Sequence, residues 1–307
     1  MMSRLRQKGV ALITVLLVFA LLAIIAGQIV TRNMADLRQT ASLVDSAQAY
    51  YYALGGEALA RQILARDFQA DDSVDNLEED WAKEVQAFQL DDGVMAIKVI
   101  DLQGLFNLNN LVDASGKVVV AAQEDFIRLL EELNLNTNYA YQLQDWIDKD
   151  DLVAAKGAEK KDYADSSYLV ANQGLTDRSE LRLLLSMKAA DYRALRDHVV
   201  ALPEATTYNL NTLDATILKA LAPAIGDADV NSFMTRQQQG GYTQAAGWYA
   251  AEGKALAAIG SRAGVASHYF EVRVTVNYAD RVCVLRSQLY RAGDGKITVI
   301  KRQQGNE

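Results

Sequence analysis

An uncharged apolar run near the start of the chain restricts what it can fold into more than any other feature. Gly9 follows a short basic leader, and the next ionisable residue after it is Arg32. As a helix, residues 10–30 would be about 32 Å long at 1.5 Å per residue, which matches a bilayer core of about 30 Å. Secretory signal peptides have a shorter apolar core and a small-residue cleavage site. The run therefore predicts a transmembrane helix over residues 10–31.

The charges on either side of this span predict its orientation. Arg4, Arg6 and Lys8 precede it, whereas Arg32 and Arg38 follow it. Because cytoplasmic flanks carry the excess of Lys and Arg, we expect the N-terminus in the cytoplasm and the rest of the chain outside it. The whole chain has a formal net charge of −8, which argues against nucleic acid as a partner and favours cations or basic protein surfaces.

The helical pattern continues beyond the span, and no proline occurs before Asp67. Gly55 and Gly56 within it mark a bend or a close packing contact. The outer half of such a helix needs a partner for its apolar face, and we expect this partner to be a sheet. The apolar residues of this face recur at spacings of three, four or seven: Leu37, Ala41, Val44, Tyr51, Leu54, Ala58 and Leu59.

Four segments are predicted to be strands. Residues 268–278 alternate apolar and polar side chains, and residues 282–291, 296–302 and 94–102 each follow a turn signal. A long helix on a small antiparallel sheet is an α+β arrangement. Between the first strand and the other three the apolar period is helical, which predicts an all-helical insertion. The motif Asn-Leu-Asn occurs near both ends of this insertion, and its first residue can cap a following helix.

The acidic stretch at residues 145–168 is the strongest candidate for a metal site. Oxygen ligands at this density suit Ca²⁺, a hard cation that takes about 6–8 oxygens. The EF-hand pattern fails, because Val153 stands where that loop requires glycine, and Lys160 and Lys161 leave a solvated acidic loop as the alternative. A second acidic run, residues 71–80, is predicted to be a solvated loop. The candidate ligands are Asp148, Asp150, Asp151, Glu159, Asp162 and Asp165.

Catalysis finds little support in the sequence. The two histidines, His198 and His268, belong to no metal or triad motif. We therefore expect a protein that is not an enzyme.

Several stretches together resemble a known family. The basic leader, Gly9, the apolar run "VALITVLL" and the continuous helix resemble the class III signal of type IV pilins and pseudopilins. Within that superfamily the chain resembles general secretion pathway protein K, the large minor pseudopilin of the type II secretion system. The supporting stretches are "DLQGLFNLNNL", "DWIDKDD", "GAEKKDYA", "ANQGLTDRSELR" and "NLNTLDATILKAL". Residues 209–230, which extend the last stretch through Pro223 and Gly226, also resemble a helix-hairpin-helix module, and Asp227 and Asp229 after the hairpin predict packing without DNA binding.

The resemblance implies a pilin-like α+β fold in five parts. A leader peptide covers residues 1–9 and the transmembrane helix residues 10–31. The first pilin-like part covers 32–118, the helical insertion, which is helix-hairpin-helix-like, covers 119–262, and the second sheet part covers 263–307. The resemblance also implies a structural calcium ion in an irregular acidic loop.

The resemblance implies a role at the tip of a fibre. Prepilin peptidase would cut after Gly9 and methylate the new N-terminus at Val10. Thr14 stands at the fifth mature position, where most pilins carry a glutamate that pairs with a neighbour's amine, and the K proteins are similar in lacking it. Partners would be the I and J minor pseudopilins, the H member as a further candidate, and the inner-membrane assembly platform. The expected docking residues besides Thr14 are Leu37, Ala41, Val44 and Tyr51.

The implied location is the bacterial inner membrane, crossed once, with the C-terminal domain in the periplasm and at the pseudopilus tip after assembly. Two other functions remain open at this point. One is a minor pilin of another type IV pilus or DNA-uptake machine. The other is a membrane-anchored periplasmic metalloenzyme that uses the acidic loop.

Overall fold

The computed structural model describes residues 4–83, 87–245 and 259–305, with side chains from Val10 onward. The start of the predicted leader and residues 246–258 of the predicted insertion lie outside the described residues. The α-helices are α1 (Arg4–Ala70), α2 (Val120–Glu132), α3 (Asn138–Ile147), α4 (Ala189–Leu195), α5 (Ala215–Leu221) and α6 (Asp227–Gln237). The strands are β1 (Phe88–Leu90), β2 (Gly93–Asp101), β3 (Phe106–Asn107), β4 (Val199–Val200), β5 (Tyr208–Asn209), β6 (Ala263–Gly264), β7 (Tyr269–Tyr278), β8 (Arg281–Arg291) and β9 (Ile297–Gln304).

The N-terminal helix is continuous, as predicted, and it comprises 67 residues. From Val10 onward it is long and apolar enough to cross a membrane, with a window of mean hydropathy 3.0 of which 0% is buried within the fold. It is the one helix in the described part of the chain that meets this criterion. An apolar helix without any cover from its own chain fits the predicted transmembrane span.

A five-stranded antiparallel sheet follows the helix. The strand order is β1-β2-β7-β8-β9, and Val272 of β7 pairs with Val99 of β2 while Val274 pairs with Leu285 of β8. The four predicted strands are confirmed. Of the five strands of this sheet only β1 was not predicted, because three residues are too few to show a period of two. The fold is therefore the expected pilin-like α+β arrangement.

The small residues of α1 pack on this sheet. Ala49, Ala53, Ala60 and Leu64 have no exposed surface and share a core with the inward side chains of β2, β7 and β8. A Cβ on Gly56 would lie 2.7 Å from the Val274 Cγ1, whereas one on Gly55 would meet nothing within 4 Å. Gly56 therefore marks the predicted close packing contact, where the helix backbone approaches the sheet.

The prediction of which helix face the sheet covers was correct only in part: Leu54 and Leu59 pack against the core of the sheet, whereas other residues of the predicted face do not. Tyr51 and Ala58, expected to lie against the sheet, are exposed, and Tyr51 retains 67% of its surface. The sheet contacts the side that carries the alanines, Gly56 and Leu64, where small residues let the two backbones come close. Leu37, Val44 and Tyr51 remain exposed.

A second core lies within the insertion, which is not all-helical as predicted: fewer than half of its described residues lie in helices. It is built from side chains of α2, α3, α5 and α6, together with buried residues of the irregular segments between them. Two parallel pairs of only two residues each, β3 with β4 and β5 with β6, interrupt the expected all-helical structure. Phe106, Leu108 and Leu111 also belong to this core, although they precede the predicted insertion start at residue 119. The domain boundaries themselves stay predictions.

The two Asn-Leu-Asn segments fasten loops to this core. In the first, Asn107 accepts from the backbone N of Asn109, and Asn109 donates to the carbonyls of Leu175 and Leu202. In the second, Asn209 accepts from the backbone N of Asn211 in the same way. Both segments follow an aromatic residue in a short parallel pair, so the recurrence in sequence corresponds to a repeated local structure.

The acidic run at residues 71–80 is not a solvated loop throughout, contrary to the prediction. Asp75 is 1% exposed, and its Oδ1 accepts from the Arg291 Nη2 at 2.6 Å. Its Oδ2 accepts from the backbone N of Ser267 at 2.6 Å. Arg291 is itself buried between Phe68 and Phe270 and needs a counter-ion there. This long-range pairing explains why a residue in an acidic run is in the interior.

Candidate calcium loop and assembly surface

The candidate calcium loop begins where α3 ends. α3 buries Tyr139, Leu143 and Trp146 in the insertion core, and the chain leaves the helix in an extended conformation at Asp148. From there to residue 177 it contains no α-helix or strand. The end of α3 therefore presents Asp145 and Asp148, one turn apart, to an irregular loop that folds back over them.

Asp145 is fully buried beneath this loop. Both of its carboxylate oxygens accept from the backbone N of Ala154, at 3.1 and 3.2 Å. The loop backbone passes so close at Gly157 that an added Cβ would lie 2.6 Å from the Asp145 Cγ. Burial raises the pKa of Asp145 to about 6, and repulsion by Asp148 and Asp150 adds to the effect. Further negative charge close to Asp145 is therefore unfavourable unless a cation compensates it.

Two more carboxylates are buried beside Asp145. Asp148 is 3% exposed and Glu159 is 2% exposed. The Asp148 Oδ1 and the Glu159 Oε1 are buried atoms that have no hydrogen-bond partner among the described residues. Burial, and then repulsion by neighbouring aspartates, raises the pKa of Glu159 to about 7 and also raises that of Asp148. Because a buried unpaired charge is costly, these orphaned oxygens fit a bound cation.

The other predicted ligands are exposed. Asp150 accepts from the backbone N of Leu152 at 2.8 Å, and Asp151 accepts from the Asn172 Nδ2 at 3.3 Å. Asp162 accepts from the backbone N of Glu159 at 2.9 Å, and Asp165 is exposed as well. The structure thus brings together Asp148 and Glu159 with a residue that the ligand prediction omitted, Asp145. The sequence signal for it was the three-residue spacing of Asp145 and Asp148 at a helix end.

A tighter carboxylate group lies elsewhere in the fold. Among the described residues, one oxygen each from Asp67, Asp75 and Glu79 lies within 4.8 Å of the other two, a spacing that the loop carboxylates do not reach. Arg291 already supplies a cation there through its bond to Asp75, and the Glu79 Oε2 accepts from the Trp81 Nε1 at 2.5 Å. Protein groups therefore satisfy much of this cluster, in contrast to the loop.

The predicted docking residues form an exposed stripe on α1. Leu37 is 68% exposed, Val44 61% and Tyr51 67%, and Ala41 is exposed between them. We call these four residues the outer stripe. At about 100° per residue the outer stripe lies on the opposite side of the helix from Ala53 and Ala60, which contact the sheet. Nearer the N-terminus of α1, the Thr14 hydroxyl donates to the Ala11 carbonyl at 2.9 Å. Its side chain therefore needs no other partner in an apolar setting.

The two histidines make contacts within the fold. The His198 Nδ1 lies 3.3 Å from the Asp214 Oδ1, and this carboxylate raises the pKa of His198. The His268 Nδ1 lies 3.0 Å from the Arg291 carbonyl oxygen. Both side chains thus connect one part of the fold to another.

Comparison with known proteins identifies the family. The family described as type II secretion system (T2SS), protein K matches residues 104–204. The type II secretion system protein K of Pseudomonas aeruginosa is 36% identical over 317 residues, which cover 97% of this chain and 93% of that protein. The protein K of Aeromonas hydrophila is 33% identical over 323 residues, covering 98% of each chain.

A solved structure agrees with this result. A chain of the crystal structure of the GspK-GspI-GspJ complex from the enterotoxigenic Escherichia coli type 2 secretion system matches with a TM-score of 0.77 and 28% identity. The match covers 88% of this chain and 100% of that one. On the strength of near full-length identity above 30% and the shared fold, the chain belongs to the type II secretion system protein K family.

Proposed function

We propose that this chain is the minor pseudopilin at the tip of the type II secretion pseudopilus. There it helps to initiate assembly and caps the fibre during the export of folded proteins from the periplasm. Family membership supports a minor pseudopilin of type II secretion and favours it over a DNA-uptake pilin or a metalloenzyme. The observation that carries the proposal is the outer stripe, an apolar surface outside the membrane that the chain leaves open.

Leu37, Ala41 and Val44 of the outer stripe lie on a stretch of helix that the described part of the chain covers only partly. Between the predicted span and Ala49, the first fully buried residue of α1, residues 32–48 form about 25 Å of helix at 1.5 Å per residue. Contiguous exposed apolar residues on a surface mark an interaction site. We infer that a neighbouring subunit covers this stretch on one side while the sheet remains on the other.

The neighbours proposed for the outer stripe are the I and J minor pseudopilins. The solved relative is a member of a complex with GspI and GspJ, which supports these partners, and the H member is a further candidate. Helix-to-helix docking through an i, i+4 and i, i+7 stripe is a common mode of subunit recognition. The stripe Leu37, Ala41, Val44 and Tyr51 has this spacing.

A charge on the outer stripe tests this assignment. Val44→Glu should abolish copurification with the I and J proteins, because a carboxylate in an apolar contact loses its hydration without a partner. Ser46→Glu is the matched control: Ser46 is exposed, and it lies about 200° around the helix from Val44. Both variants should keep the melting temperature of the parent. Copurification of the partners with Val44→Glu would contradict the proposed docking face.

Two features support the position at the tip: the size of the insertion and the uncharged side chain of Thr14. The insertion carries its own core and is too large to repeat on every subunit of a thin fibre, and Thr14 offers no carboxylate for pairing beneath an earlier subunit. We infer a single copy whose insertion faces away from the fibre. An electron-microscopic structure of the assembled tip tests this directly. A subunit stacked above the insertion, or many copies along the fibre, would overturn it.

We further infer processing by prepilin peptidase. α1 passes through Gly9 as a continuous helix, and the apolar run after it stays with the mature chain as its membrane anchor. The product is a chain that starts at N-methylated Val10, with its N-terminus on the cytoplasmic side, where the assembly platform can engage it. Mass spectrometry of membrane-extracted protein should show this terminus. An intact Met1 would argue against the assignment.

We also propose that the candidate calcium loop binds structural Ca²⁺. Asp145, Asp148 and Glu159 would provide buried ligands, and the exposed aspartates of the loop are available to complete the shell. When bound, the cation supplies the positive charge that the orphaned oxygens lack. Chelator should lower the melting temperature of the full chain in detergent, and elemental analysis should find calcium. A melting curve indifferent to chelator, with no metal found, would refute the site.

A further inference from the structure

An irregular segment after α1 crosses the junction between the sheet and the insertion. We call residues 71–83 the junction strap, and none of them lies in a helix or strand. The backbone carbonyl of Asp75 accepts from the Asn209 Nδ2 at 3.1 Å, which joins the strap to the insertion. Further along, Trp81 packs against Phe270 of β7 with 5.3 Å between the ring centroids. The junction strap therefore contacts both parts of the fold.

Three carboxylates meet one buried arginine where the junction strap passes the end of α1. Among the described residues, Asp67 of α1 and Asp75 and Glu79 of the strap place one oxygen each within 4.8 Å of the other two. The Arg291 Nη2 donates to the Asp75 Oδ1 at 2.6 Å, and its Nη1 lies 3.8 Å from the Asp67 Oδ2. When all three carboxyl groups are ionised, they share the charge of this one guanidinium.

The carboxyl groups of Asp67 and Glu79 lie against each other within this cluster. The Asp67 Oδ2 is a buried atom that has no hydrogen-bond partner in the part of the chain that the structure describes. The Glu79 Oε2 accepts from the Trp81 Nε1 at 2.5 Å, which holds the Glu79 carboxyl in place. The two carboxyl groups are close enough to hydrogen-bond to each other, and such a bond forms only if one of them carries a proton.

The charged groups that face this pair favour a retained proton. Burial, followed by repulsion from Asp75, raises the pKa of Asp67, and Asp80 of the strap adds further repulsion. Burial, together with repulsion from Asp67, raises the pKa of Glu79. Arg291 of β8 acts to lower the pKa of Asp67 but contributes less than burial does. The folded state therefore holds a proton more tightly than the unfolded state, so stability falls as the pH rises through these raised pKa values.

We propose that Asp67 and Glu79 share one proton, and that loss of this proton in alkaline medium loosens the junction strap from the end of α1. The shared proton supplies a hydrogen bond between the two side chains. Once it leaves, two like charges face each other in a buried place, which neighbouring carboxyl groups resist by titrating as a pair. Because one charge lies on α1 and the other on the strap, their repulsion acts between these two elements.

Denaturant unfolding and hydrogen exchange of the full chain in detergent, at pH 5 and pH 8.5 with EGTA in every sample, test the proposal. In the parent, the unfolding equilibrium constant should be larger at pH 8.5, and residues 71–83 should exchange faster after correction for the intrinsic effect of pH. In Glu79→Gln both differences should shrink, because the amide can donate to Asp67 at either pH. The difference in the equilibrium constant should shrink about tenfold for each unit by which the pKa is raised.

Asp67→Asn should act in the same way, and the double variant should add nothing to either single change, because one amide already removes the repulsion. Glu78→Gln is the control, since Glu78 is an exposed neighbour in the strap, and it should keep the pH response of the parent. Titration of Glu159 is common to all these proteins and cancels in the comparison. Equal pH responses of the parent and both single variants, or additive effects of the two changes, would overturn the proposal.

Calcium added at pH 8.5 distinguishes a shared proton from a cation bound in the cluster. The candidate calcium loop is unchanged in Glu79→Gln, so calcium should shift the melting temperatures of the parent and this variant equally. A larger rise in the parent would assign the cluster to a cation and would also overturn the proposal.

Discussion

Replacing Glu159 by glutamine should change the stability of the calcium-free and the calcium-loaded protein in opposite directions. In the calcium-free protein Glu159 is a buried carboxylate that has an unpaired oxygen and aspartates nearby. Glutamine has the same shape without the charge, so it removes the repulsion. In the loaded protein the same change removes a negative ligand from the cation. If Glu159 had a merely structural role, the change in the free energy of unfolding would have the same sign with and without calcium.

The size of the calcium-free effect follows from the pKa. The pKa of Glu159 rises from its ordinary value of 4.5 to about 7, and one unit corresponds to about 1.36 kcal/mol. The folded state holds this proton more tightly than the unfolded state, so stability falls as the pH rises from about 4.5 to about 7. At pH 8 the gain from Glu159→Gln is therefore at most about 3 kcal/mol, and at pH 4 it is close to zero. The neighbouring aspartates share the repulsion, which makes this an upper figure.

The calcium-loaded effect has the other sign. Calcium at a thousandfold excess over its Kd adds about 4.1 kcal/mol to the free energy of unfolding, which exceeds the largest gain expected in the calcium-free protein. A neutral ligand weakens binding, so the variant should lose most of this increment and become less stable than the parent.

Denaturant unfolding of the full chain in detergent, with calcium or EGTA at pH 8 and without added calcium at pH 4, measures the three conditions. Glu131→Gln, an exposed carboxylate of α2, is the control and should change little. Equal destabilisation by Glu159→Gln with and without calcium would refute the reasoning.

Two further predictions concern the contact of α1 with the sheet. Gly55→Ala should raise the free energy of unfolding by up to about 1 kcal/mol, since the site is open and alanine favours helix. Gly56→Ala should lower it by about 1–3 kcal/mol, because its Cβ would overlap the buried Val274 side chain. Equal effects in thermal unfolding would contradict this geometry. Glu57→Ala should cost about 2 kcal/mol, since Glu57 accepts from Arg302 at 2.7 Å and Ser287 at 2.6 Å. Burial would raise the pKa of Glu57, but these bonds outweigh it and lower the pKa, so the parent should lose this advantage as the pH falls below about 4.5. If Glu57→Ala remains less stable than the parent in acid, the lost stability comes from packing and not from these charged hydrogen bonds.

The sequence predicted the regular elements well and the irregular ones poorly. β7 shows five inward apolar residues at a strict period of two, and α1 shows no proline over 67 residues, so local pattern alone determines these elements. The parallel pair of Phe106–Asn107 with Val199–Val200 joins positions more than ninety residues apart. A two-residue strand has no period, and only the tertiary fold brings its partner to it.

The candidate site shows the same limit. The density of carboxylates in the sequence predicted the region of the calcium loop. It could not predict which of the candidate ligands are buried and which are exposed, because burial depends on how the loop folds back. Asp145 was omitted because it sits inside a helix, where an acidic residue is usually solvated. Its role depends on Gly157, which brings the loop backbone against it. Likewise, the helix face that meets the sheet includes the close approach at Gly56, which a pattern of apolar residues alone does not reveal.

The length of α1 has a mechanical consequence. Residues 10–70 of α1 form a rod of about 92 Å, and Ala49 is its first fully buried residue. An axial force applied at the membrane end of α1 would therefore act as shear at the contact between the helix and the sheet. Gly56, seated against Val274, acts as a notch that resists sliding, and the bonds of Glu57 to two strands lie across the direction of load. The contact between α1 and the sheet therefore resists sliding along the helix axis through both shape and charge.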